Sequence, residues 1–69
     1  MKAQVRIEYP NATFYYGGAQ AGAIHLLDWG AARAIEYVGI DSQVVPVDLI
    51  QRAERILTRK WERDKTYER

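Results

Sequence analysis

The sequence predicts a small α+β fold, an N-terminal β-hairpin followed by two α-helices in the order ββαα, built as one domain over residues 1–69 and completed by oligomerisation. Three observations carry this. Residues 2–16 alternate apolar and polar side chains about a central Pro-Asn pair. Residues 19–38 change to three- and four-residue apolar spacing, and a second stretch with that spacing follows Pro46.

In the first strand, Lys2–Tyr9, the side chains of Val5, Ile7 and Tyr9 point one way and those of Gln4, Arg6 and Glu8 the other. Pro10-Asn11 suits the centre of a tight turn, because Pro fixes φ and Asn tolerates the unusual second position. Ala12–Tyr16 reads as the second strand, with Ala12, Phe14 and Tyr16 opposite Thr13 and Tyr15. A lone hairpin is marginal in water, so it must pack on helices or extend into a neighbouring subunit.

The first helix is expected from Ala19 or Gln20 to Val38, with Ile24, Leu27, Ala31, Ile35 and Val38 on one face. Gly30 would cost a helix interior ~1 kcal/mol relative to Ala, which close approach of another backbone would justify. Gly39 suits the helix C-terminus. After a connector at 41–45, Pro46 and Asp48 fit a first helical turn. The second helix then runs from about Pro46 to the mid-sixties, with Leu49, Ile50, Ala53, Ile56, Leu57 and Trp61 as its apolar stripe and fraying past Trp61.

At 69 residues a single hydrophobic core is near its lower limit of sufficiency. The chain has no cysteine and one histidine, so disulfides and thiolate metal sites are excluded, and neither a cofactor nor a metal is expected. Oligomerisation remains as the stabilising device, and the 48% of hydrophobic residues supply surface for a dimer or larger assembly. The net charge of +1 favours neither nucleic acid nor an anionic membrane. Without an apolar run long enough to span a bilayer or an N-terminal signal, a cytoplasmic protein with no membrane association is expected.

Function is less legible. Tyr15-Tyr16-Gly17-Gly18-Ala19-Gln20-Ala21-Gly22 reads as a strand, a glycine-rich turn and a helix start, where free N–H groups and the helix dipole favour an anion. Ala23 and Ile24 stand where a catalytic phosphate loop needs Lys and Ser/Thr, and the dinucleotide fingerprint is missing too. What remains is a passive ligand seat of Tyr15, Tyr16, Gly17, Gly18, Gln20 and Gly22, with Arg6 or Arg33 helping to hold charge; the same composition equally serves a tight turn and close packing. His25 and Asp28 would meet on one helix face, but no hydroxyl or thiol is placed as a nucleophile beside them, so no catalytic residues are assigned.

Arg52, Arg55, Arg59 and Arg63 recur at three- and four-residue steps and form a basic edge on the second helix. Asp48, Glu62 and Asp64 are spaced to pair along that helix, so a salt-bridged solvent face is the competing reading. The edge, together with Trp29 and Trp61, is the expected partner-binding surface, since Trp and Arg commonly dominate interface energy. The chain is therefore read as a non-enzymatic, homo-oligomeric regulator or inhibitor that binds another macromolecule, most simply a protein, stoichiometrically. A small-ligand binder sequestering a nucleotide-like anion at the Tyr15–Gly22 junction is the alternative.

A third reading rests on a resemblance. A strand carrying Lys2, Gln4 and Arg6, then helices joined at Gly39-Ile40-Asp41-Ser42 ahead of Leu49-Ile50-Gln51-Arg52-Ala53, resembles the ribbon-helix-helix DNA-binding dimers. That resemblance implies paired strands in the major groove, with Gln4 and Arg6 on base edges. The chain departs from the pattern across 12–22, in the length of its first helix, and at Pro46.

Overall fold

The computed structural model describes residues 2–67, with side chains through Lys65. The chain runs β1 (Gln4–Glu8), β2 (Asn11–Tyr16), β3 (Ala19–Asp28), β4 (Arg33–Val38) and α1 (Val47–Tyr67). The strands form one antiparallel sheet in the order β1-β2-β3-β4, and α1 lies across one face of it. The architecture is thus ββββα, which overturns the expected ββαα. Residues 19–38 form two strands where one helix was expected, and the ribbon-helix-helix comparison loses its first helix with them.

Turn chemistry explains the difference. Gly17 and Gly18 have φ of 60° and 82°, the pair of positive values a two-residue type I′ hairpin turn requires. The glycine-rich junction therefore leads from strand to strand. Gly30, expected inside a helix, instead sits in the β3–β4 turn, where Trp29 N–H donates to Ala32 O at 2.9 Å. The β1–β2 turn is centred on Tyr9-Pro10, one residue earlier than expected, with a cis peptide bond between them, and Asn11, expected in the turn, opens β2 opposite Glu8.

The sheet has two unlike faces. Towards the helix point Val5, Ile7, Ala12, Phe14, Tyr16, Ile24, Leu26 and Ile35, of which Ala12, Phe14, Ile24 and Leu26 are buried. Alternation sends Arg6, Glu8, Asn11, Thr13, Tyr15, Ala23, His25, Leu27, Glu36 and Val38 to the other, uncovered face. On α1, Leu49, Ala53 and Leu57 are buried at four-residue spacing beside Val45, with Ile50 and Trp61 partly buried against them. The helix start is close to the expected one, and the stripe holds except at Ile56, which is partly buried but outside the core cluster. The helix runs to Tyr67, close to the expected end in the mid-sixties, and is regular past Trp61, where fraying was expected.

Where β2 meets β3 the register slips between Phe14 and Tyr15, leaving Ala21 as the extra residue of a bulge. Gly22 follows it with φ of 134°. There the connector leaving β4 packs on the bulge, and Asp41 N–H donates to Ala21 O at 2.9 Å. Val44 and Val45 N–H then turn back onto Asp41 O, and Pro46 O accepts the first bonds of the helix. No helix among the described residues is long and apolar enough to cross a membrane.

Candidate functional site

The surface offers four distinct chemical groupings. The first is the basic edge. Arg52, Arg55, Arg59 and Arg63 are all exposed, on the side of α1 away from the sheet. Eleven residues of helix spread them over about 16 Å. The ion pairs seen among the described residues are Arg6–Glu8 at 3.5 Å and Lys65–Asp28 at 3.2 Å, and neither uses these arginines. Lys2 and Ala3, from the start of the chain, line a hollow of about 540 Å³ with Asp48, Leu49 and Arg52, which extends the basic edge towards β1.

The second grouping sits at the far end of α1. Asp28 Oδ1 accepts from Gly30 N–H at 2.9 Å and from the Trp61 indole N–H at 3.0 Å, and it pairs with Lys65 Nζ. The Trp61 bond, then the Gly30 amide and Lys65, hold the Asp28 carboxyl below its ordinary value of 3.8. The Trp61 bond thereby clips the helix to the β3–β4 hairpin. Trp29, the other tryptophan expected at a partner surface, is 69% exposed beside that turn. The expected meeting of His25 with Asp28 does not occur, because alternation along β3 puts them on opposite faces.

The third is a cross-strand row on the uncovered face. Glu8, Asn11, His25 and Glu36 stand opposite one another across all four strands. His25 Nδ1 is hydrogen-bonded to Asn11 Oδ1, and a shallow hollow of about 490 Å³ lies over the row and its neighbours Thr13, Ala23 and Val38. Among the described residues no cluster of His, Asp and Glu has the closeness a metal ion needs. Sequence reasoning missed this row, because it becomes visible only once β3 and β4 are strands in register.

The fourth is the tyrosine–glycine junction. Tyr15, Gly17 and Gly18 come together with Lys2 and Gln4 around a hollow of about 350 Å³. Tyr16 points to the opposite face and packs against the core, and Gly22 is buried under the connector. Gln20, paired with Tyr15, is exposed. The expected anion seat depended on a helix N-terminus, and none lies here; the turn is followed by β3.

Finally, β4 forms one edge of the sheet and stands at the margin of the helix layer, whose main packing is on β1, β2 and β3. Tyr37 is 56% exposed and Val38 51% exposed. The Tyr37 hydroxyl donates to Glu54 Oε1 of α1, and that carboxylate, followed by partial burial, raises the Tyr37 pKa above 10.0. Comparison with family models, with curated proteins and with solved structures gives no match for this chain.

Proposed function

We propose that this chain is a non-catalytic binding module that regulates another protein by stoichiometric docking, and that α1 presents the docking surface to an acidic patch on that partner. One observation carries the reading: Arg52, Arg55, Arg59 and Arg63 line the outward side of α1, exposed and outside the ion pairs formed among the described residues. An arginine fork offers planar, bidentate donors to carboxylates at low desolvation cost, so a row of four suits an acidic protein surface. The competing reading of a salt-bridged solvent face would pair Asp48, Glu62 and Asp64 along the helix; of these, Asp48 and Asp64 appear in no ion pair among the described residues.

The test is quantitative affinity purification with the full chain and with an Arg55→Glu/Arg59→Glu variant. A protein retained near one-to-one by the natural chain and lost from the variant supports the reading. Retention of the same proteins by both chains rejects it. Salt-sensitive retention of duplex DNA in place of a protein would reassign the edge to phosphate binding.

A further inference from the structure

We propose that β4 is a homodimerisation edge, through which two copies pair antiparallel about a two-fold axis at Ile35 to make a continuous eight-stranded sheet. The inference is independent of the docking role of α1, which uses another face of the molecule.

Backbone geometry defines the edge. In an antiparallel ladder, directly opposed residues alternate between pairs that exchange both hydrogen bonds and pairs that exchange none. Trp29 N–H donates to Ala32 O, which sets the bonded pairs between β3 and β4 at Leu27–Ala34, His25–Glu36 and Ala23–Val38. Arg33, Ile35 and Tyr37 are therefore the residues whose N–H and C=O groups point away from β3. An edge strand with such a free row is a template for another strand.

Symmetry then selects the register. Two identical antiparallel strands in one sheet are related by an axis normal to it, so a residue at the centre opposes its own copy. Centring on Ile35 sets Arg33 opposite Tyr37 of the other copy and uses all three outward residues of each strand, for six backbone hydrogen bonds. Centring on Glu36 places two carboxylates face to face and leaves only four bonds.

Side-chain chemistry agrees with the Ile35 centre. On the helix face, each Arg33 lands beside the other copy's Tyr37, whose hydroxyl is already bonded to Glu54, so a cation meets an aromatic ring and a carboxylate twice over. On the uncovered face, exposed Val38 comes opposite Ala32 of the second copy, and Glu36 opposite Ala34. The other edge is differently built. The main helix packing includes β1, and the exposed face of that strand carries Gln4, Arg6 and Glu8, with Arg6 paired to Glu8. β4 also carries two charges, Arg33 and Glu36, but the Ile35 register sets each Arg33 beside Tyr37 and Glu54 of the other copy.

The experiment exploits the absence of cysteine, which makes any introduced thiol unique. Opposed bonded residues have Cα atoms about 5.5 Å apart, within the span a disulfide bridges. Ile35→Cys should give a covalent dimer under mild oxidation, and Arg6→Cys, on β1, should not. Sedimentation of the natural chain from about 1 μM to about 1 mM should show a monomer–dimer equilibrium. Arg33→Glu should shift that equilibrium at least tenfold towards monomer, and adding Glu54→Arg should restore it. The proposal is overturned if the natural chain stays monomeric over this range, or if Arg6→Cys crosslinks to itself or to Ile35→Cys in a mixture. A dimer that Arg33→Glu leaves unchanged in a folded variant, judged by circular dichroism, also overturns it.

Discussion

Gly22 and Ile40 meet with no room for a side chain between them. A Cβ added at Gly22 would lie 2.5 Å from Ile40 Cα and 2.9 Å from Ile40 Cγ1. The backbone there already has φ of 134°, which other residues rarely adopt. Gly22→Ala is therefore expected to destabilise the fold by about 2–4 kcal/mol, combining backbone strain with overpacking. Urea denaturation gives the value, and a loss below about 1 kcal/mol would mean that the connector does not seat on the bulge.

The Gly17-Gly18 turn predicts an asymmetric response. Asn-Gly is the preferred pair for a type I′ turn, so Gly17→Asn should be neutral or slightly stabilising. Gly18→Val forces a β-branched residue to φ of 82° and should cost about 1–3 kcal/mol, although nothing crowds the position. Equal melting temperatures for the two variants would contradict the turn assignment.

The Asp28 cluster predicts a pH dependence with a definite sign. Its carboxyl is held below 3.8 in the folded chain, so the unfolded state takes up a proton first as pH falls. The contribution of the charged form is complete above the unfolded value and fades as pH drops through the lower folded one. Asp28→Asn should thus lower the melting temperature at neutral pH, and the gap to the natural chain should close in strong acid. A gap independent of pH would show that the Trp61 and Lys65 contacts do not depend on the charge.

In the core, Leu57 is fully buried beneath the sheet, near the middle of α1. Leu57→Ala should cost about 2–5 kcal/mol, a large part of the stability of a chain this small. Ile56→Ala, beside it but half-exposed, should cost clearly less. Calorimetry on both variants measures the contrast, and similar losses would place the helix in a different rotation about its axis.

The parts of the fold legible in the sequence were those where a single periodicity held. β1 and β2 alternate cleanly, and α1 keeps Leu49, Ala53 and Leu57 in one stripe after Pro46. Residues 19–38 misled because both faces of β3 carry apolar groups: Ile24 and Leu26 face the helix, while Ala23 and Leu27 lie on the uncovered side. Alternation vanishes in such a strand, and Ile24, Leu27, Ala31, Ile35 and Val38 then fall by chance on helical spacing. The useful clue was Gly30 beside Asp28 and Trp29, which reads as a turn once its ~1 kcal/mol cost in a helix is taken at face value.

The candidate surfaces divide in the same way. The arginine edge belongs to α1, and its exposure followed directly from the opposite apolar stripe. Trp61, expected at a partner surface by composition, also bonds through its indole N–H to Asp28, 33 residues away, a pairing that no local pattern could reveal. The Glu8–Asn11–His25–Glu36 row was hidden for the same reason, since register across four strands is a property of the assembled sheet.

The meander order has an entropic consequence. No connection between strands exceeds four residues, so each strand finds its partner with little chain entropy to overcome. Contacts from α1 back to β1, β2 and β3 close far longer loops. The strand pairings thus close short loops, and the helix contacts close the long ones that carry most of the loop-closure entropy. Lengthening the 39–46 connector would accordingly add a small entropic cost to docking the helix and none to pairing the strands.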